Sequence, residues 1–162
     1  MNAWIGIIGV VVGGLLTMLS ASVQLRRQIH RDRQKILLTK LEELHQVVYL
    51  LRQAYKAADL EALSLAQDKE LPNNVKEALF VPIEKLQMLV GIYAPELSNQ
   101  LEKIESCCKE YGLTQIKYKL SADKRGAADR TAFSVLSSQQ TEVQQACAEM
   151  QAAIIALARK YL

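Results

Sequence analysis

The sequence predicts an all-α protein in which a single N-terminal transmembrane helix continues into a cytoplasmic antiparallel four-helix bundle. Three observations predict it. Residues 1–25 carry no charged side chain, and neither glycine nor proline occurs anywhere in 15–71. Two apolar seams, over 37–65 and 133–161, advance in alternating steps of three and four, the period of helices that pack on other helices. The expected division is an anchor over 1–25, a basic juxtamembrane collar over 26–40 and a helical bundle over 41–162.

The anchor rests on Ala3 to Val23, AWIGIIGVVVGGLLTMLSASV. As a helix this run is roughly 30 Å long, the thickness of a bilayer core. A cleaved signal peptide is the competing reading, with Ser20-Ala21-Ser22 as the place to cut. A signal peptide, however, carries its positive charge ahead of the apolar run, and here every early charge follows it. The positive-inside rule then keeps the segment from Arg26 onward in the cytoplasm and Met1 outside, at an inner or plasma membrane.

Within that run Asn2, Gly6, Gly9, Gly13, Thr17 and Ser20 stay inside an arc of about 80° on a helix, a narrow face of small and polar residues. Trp4, Ile8, Val11, Leu15, Met18 and Leu19 make the opposite, lipid-facing side. Four of the seven glycines fall in the first 14 residues. Each costs about 1 kcal/mol relative to alanine inside a helix, and close approach of a second helix offsets that cost. Gly9 and Gly13 form a GxxxG pair, so self-association along this face is expected. A sharper version has several copies ringing a pore lined by Asn2, Thr17 and Ser20.

With no breaker after Gly14, nothing obliges the first helix to stop at the membrane surface. Its seam is Leu37, Leu41, Leu44, Val48, Leu51, Tyr55, Ala58, Ala62 and Leu65, widened by Val47, Leu50 and Ala54, a face broad enough for a bundle. Leu71-Pro72-Asn73-Asn74 breaks the chain. A second helix from Val75 to Tyr93 follows, with a kink or restart at Pro82 and with Val75, Leu79, Leu86, Leu89, Val90 and Tyr93 inward. Pro95 opens a third, carrying Leu97, Leu101, Ile104 and Cys108 inward, and Gly112 suits its end. From Leu113 to Arg130 the helical period is lost, Ile116 to Leu120 alternates, and a loop is expected. The last helix begins near Asp129 as N-cap and buries Phe133, Leu136, Val143, Cys147, Met150, Ile154, Leu157 and Tyr161, with Gln140 as the polar residue in its seam.

Charge sharpens the layout. The net +3 of the 162 residues is +5 between Arg26 and Lys40 and −2 elsewhere, so the chain is not globally basic and the pattern speaks against nucleic acid as a partner. Arg26, Arg27, Arg31, Arg33 and Lys35 suit anionic lipid headgroups. A second basic group, Lys117, Lys119, Lys124, Arg125 and Arg130 with Tyr118 among them, is the better candidate contact for a soluble ligand or protein partner.

No catalytic or cofactor motif is legible. His30 lies in the collar and His45 flanks the first seam, neither with the company a catalytic histidine needs. The Arg-to-His spacing of HEPN ribonucleases is missing. Cys107, Cys108 and Cys147 have no CxxC or His-x3-His setting, so buried thiols fit better than metal ligands. No ExxH pair suggests a di-iron bundle. The expectation is a non-enzymatic chain without cofactor that homo-oligomerises, touches membrane lipid and binds a cytoplasmic protein. The layout is similar to that of small bacterial membrane-anchored bundles, including the HEPN-like pore-forming accessory proteins of RNA-targeting CRISPR systems. The resemblance implies, as the alternative, a pore-forming or membrane-depolarising effector in antiphage defence.

Overall fold

A computed structural model describes residues 3–66, 83–125 and 130–162; within its helices the side chains of residues 3–12, 15, 16, 19, 65, 66, 121–125 and 130 are outside the description. The described residues are almost entirely helical and contain no strand. They form α1 (Ala3–Ala66), α2 (Ile83–Tyr93), a short 3-10 turn (Pro95–Leu97), α3 (Ser98–Arg125) and α4 (Arg130–Ala158). The chain divides into two units, 1–39 and 40–162.

The absence of glycine and proline after Gly14 has its expected consequence: α1 is a single helix of 64 residues. Among the described residues no helix is long and apolar enough to cross a membrane. The expected anchor falls largely on side chains outside that description, as do the breaker Leu71-Pro72-Asn73-Asn74, the positions Val75, Leu79 and Pro82, and the cap Asp129.

The second unit is an antiparallel bundle, and its contacts fix the direction of each helix. On α1, Glu43 meets Lys85 of α2 at 2.7 Å and Lys40 lies over the ring of Tyr93, so α2 runs against α1. Tyr55 meets Tyr111 edge-on at 5.1 Å, and Glu61 pairs with Lys119 at 2.9 Å, so α3 runs with α1. Lys103 pairs with Glu149 at 2.6 Å and Tyr118 meets Phe133, which together set α4 against α3. Arg52 and Gln144 close the ring: the Arg52 Nε donates to Gln144 Oε1 and the Gln144 amide donates to the Arg52 carbonyl, both at 2.9 Å. Hydrogen bonds of this kind contribute about 1 kcal/mol each, whereas burying one leucine contributes about 2 kcal/mol, so the polar contacts set register and the core supplies the stability.

That core follows the predicted seams closely. Leu41, Leu44, Val48, Leu51, Ala58 and Ala62 of α1 are buried, as are Leu86, Leu89 and Val90 of α2 and Leu136, Val143, Cys147, Met150, Ile154 and Leu157 of α4. Between α2 and α3, Ala94 is buried, its N–H bonding Val90, and the turn closes with Leu97 N–H on Ala94 and Ser98 Oγ on Pro95.

Three expectations are corrected. Gly112 does not end the third helix, the loop over Leu113 to Arg130 is instead helical as far as Arg125, and Leu50 faces solvent. One cause explains the first two. Below Cys108 the inward positions are taken by Tyr111 and Tyr118, both 1% exposed, and the Tyr118 hydroxyl donates to the Ala62 carbonyl at 3.3 Å. Alanines 54, 57, 58 and 62 on α1 make room for these rings, and Phe133 leans on Tyr118 from α4. Burying two aromatic side chains outweighs the roughly 1 kcal/mol that Gly112 costs the helix. Leu50 is exposed because the buried positions at its level, Val47, Val48, Leu51 and Ala54, all fall to one side of it.

A methyl group placed on Gly112 meets nothing within 4 Å. Gly112→Ala is therefore expected to stabilise the protein by about 1 kcal/mol, read from urea denaturation followed by circular dichroism; destabilisation would contradict the open helical setting. Lys40 and then Lys85 donate to Glu43 and hold its carboxyl down at about 2, against an ordinary 4.5. A depressed carboxylate favours the fold above its ordinary value and stops doing so as pH falls through about 2. Glu43→Gln is expected to flatten stability against pH between about 4.5 and 2, with the denaturation midpoint at successive pH values as the measurement.

Candidate functional site

The residues predicted to act lie on α1, on α3 and, for Arg130, at the start of α4, with Asn2 outside the described residues. In the first unit Gly13, Thr17 and Ser20 are exposed, and the position above Gly13 is open for at least 4 Å. Gly6 and Gly9 lie in the helical backbone of α1, with surroundings outside the description, and Asn2 is outside it altogether. The hydroxyls do not project as free donors. Thr17 Oγ1 donates to the Gly13 carbonyl at 2.8 Å and Ser20 Oγ to the Thr17 carbonyl at 2.9 Å. Back-bonding of this kind satisfies a hydroxyl within its own helix and leaves a low face that another helix can approach.

The collar cations Arg26, Arg27, Arg31, Arg33 and Lys35 are exposed and divide into two faces. Arg27, Arg31 and Lys35, spaced by four, share a shallow groove with Gln24, Gln28 and Asp32. Arg26 and Arg33, seven apart, occupy the other side of the helix. The groove also continues the phase of the small face, since 13, 17, 20, 24, 27, 31 and 35 advance by threes and fours. The spacing of the cations contains this division, which a count of charge does not show.

The second basic group is dispersed by the helical course of α3. Lys117 is exposed; Lys119 is exposed too, but paired with Glu61; Tyr118 is in the core. Lys124, Arg125 and Arg130 have helical backbone and side chains outside the description. The part of the expected contact loop from Leu113 to Leu120 is thus in the bundle wall, and Tyr118 and Lys119 serve packing between α1 and α3.

The buried groups are chemically quiet. Burial pushes the Cys108 thiol up to about 11 and the Cys147 thiol up to about 12. It also raises Tyr55 and Tyr111, the latter helped by the Asp59 and Glu61 carboxylates. Groups so shifted stay protonated at neutral pH, where a thiol is a poor nucleophile. His30 is exposed and His45 half-buried. Among the described residues no group of three His, Cys, Asp or Glu side chains is placed to hold a metal ion. The feature that sequence reasoning missed is the outward side of α3, where Leu113, Ile116 and Leu120 are exposed opposite the buried tyrosines; the i, i+3, i+7 spacing was visible, but the alternation of Ile116 and Leu120 with lysine hid it.

No family model, curated protein or solved structure matches the chain.

Thiol accessibility gives a direct check on this geometry. Iodoacetamide at pH 8 is expected to label the half-buried Cys107 well before Cys108 and Cys147, which react only on unfolding. Peptide mass spectrometry over time gives the order, and simultaneous labelling of all three would contradict the packing of α3 on α4.

Proposed function

We propose that the chain is a single-pass membrane protein, N-terminus outside, that self-associates through the Gly6, Gly9, Gly13 face and presents its bundle to a protein partner in the cytoplasm. The observation that carries this reading is a sequence one: a charge-free run from Ala3 to Val23 followed at once by the +5 collar. Charge-free length supplies the anchor, and the one-sided charge supplies the orientation. Arg27, Arg31 and Lys35, sharing a groove with two glutamine amides, suit phosphate oxygens of anionic headgroups, each cation near the surface adding about 1 kcal/mol. The open position at Gly13 and the internally bonded hydroxyls of Thr17 and Ser20 support close helix packing over a wet lining.

A Gly9→Leu, Gly13→Leu double variant is expected to shift the protein from oligomer toward monomer in lipid nanodiscs sized by native mass spectrometry. An unchanged oligomer removes the glycine face from the account. Liposomes holding the wild-type protein are expected to retain an entrapped dye, and leakage abolished by the same double variant would replace this reading with the pore.

A further inference from the structure

We infer that the outward face of α3 docks an acidic amphipathic helix of a partner protein. This rests on the partner-binding half of the proposed function and not on the membrane half. Leu113, Ile116 and Leu120 are 53%, 58% and 58% exposed and stand at i, i+3 and i+7, the spacing with which one helix grips another. They line the side of α3 away from Tyr111 and Tyr118, so the bundle's own core has no use for them. Lys109 and Lys117, one turn to either side of Leu113, are exposed and make no ion pair among the described residues, unlike Lys103 and Lys119 of the same helix.

Two features choose the occupant. Exposed Glu110, which accepts from Ser106 Oγ at 3.5 Å, lies on the Lys117 edge, and it is the excess of Lys109 and Lys117 over this one carboxylate that calls for negative charge along the partner's apolar strip. Gly112, beside the strip, has open space where a side chain would stand. An open glycine lets a second backbone come close, which serves a helix, whereas a lipid surface gains nothing from a notch. On α1, in register between the Tyr55–Tyr111 and Glu61–Lys119 contacts, Ala57 is small and Leu60 is 55% exposed, which extends the apolar area toward α1.

The test selects short helical peptides from a phage-displayed library on full-length protein in zwitterionic nanodiscs, counter-selecting with the Ile116→Glu variant. Enriched peptides are expected to repeat Leu or Ile at three-and-four spacing with Glu or Asp flanking them. The most enriched peptide, fluorescein-labelled, is expected to bind the Lys109→Glu, Lys117→Glu variant and the Gly112→Leu variant about 10-fold or more weaker than wild type, and more weakly as salt rises. All these positions are exposed or open, and circular dichroism confirms that each variant folds. The Gly9→Leu, Gly13→Leu variant is expected to keep peptide binding intact, so failure of the oligomer and failure of this surface are separately visible. No enrichment, enrichment of peptides without acidic bias, equal binding by the charge-reversed variant, or binding of phosphatidylglycerol vesicles to this face in place of any peptide would each overturn the inference.

Discussion

The lack of any helix breaker between Gly14 and Pro72 governs most of what this chain does structurally. A helix of 64 residues is far more than local propensity sustains, because isolated helices in water are marginal and take their stability from packing. From Lys40 onward that packing is supplied in full. Glu43 holds α2, Ala62 and Glu61 hold α3, and Arg52 holds α4. The other three helices are therefore organised around this stretch of α1, and a proline or glycine pair there would remove the element that all of them share.

The packing around α1 changes character along its length. Where α2 stands, α1 offers Leu41, Leu44, Val48 and Leu51 to leucines and valines of similar size. Further on it offers Ala54, Ala57, Ala58 and Ala62, and α3 answers with Tyr111 and Tyr118. Large residues on one helix against small ones on the next keep the interior dense without widening the bundle. The tyrosines bring hydroxyls that need partners in a dry place. Tyr118 finds the Ala62 carbonyl, while the Tyr111 hydroxyl makes no hydrogen bond among the described residues, although burial and the Asp59 and Glu61 carboxylates keep it protonated. This end of the core is held by shape first and polar satisfaction second.

That change of character marks where the sequence stopped being legible. The seams of α1 and α4 repeat over many turns, so single deviations such as Gln140 did not hide them. In α3 the same inward positions fall on Tyr111 and Tyr118, which look amphipathic rather than apolar, and the more hydrophobic Ile116 and Leu120 point outward. Weighting by hydrophobicity alone therefore found a period of two where the chain has a helix. Gly112 compounded the error: it resembles a C-cap, but its backbone remains right-handed helical and the next glycine is at 126. Of the site residues, the cations were legible as a group and their two faces were not, because a charge count ignores spacing. The hydroxyl bonds of Thr17 and Ser20 depend on rotamers that no sequence pattern specifies.

The phase shared by the small face and the cationic groove constrains the self-association we propose. Copies lying parallel along Gly13, Thr17 and Ser20 would bring Arg27, Arg31 and Lys35 of each into line with those of the next. Two like charges 4 Å apart at a protein surface oppose contact by about 4 kcal/mol at an effective dielectric constant near 20. Helices paired in this way must part at the collar or hold anions between them. Phosphate groups stand at that depth in a membrane, and Gln24 and Gln28 in the same groove add neutral donors that do not worsen the repulsion. In the assembly we propose, anionic lipid would then be a structural component, binding where two copies would otherwise repel.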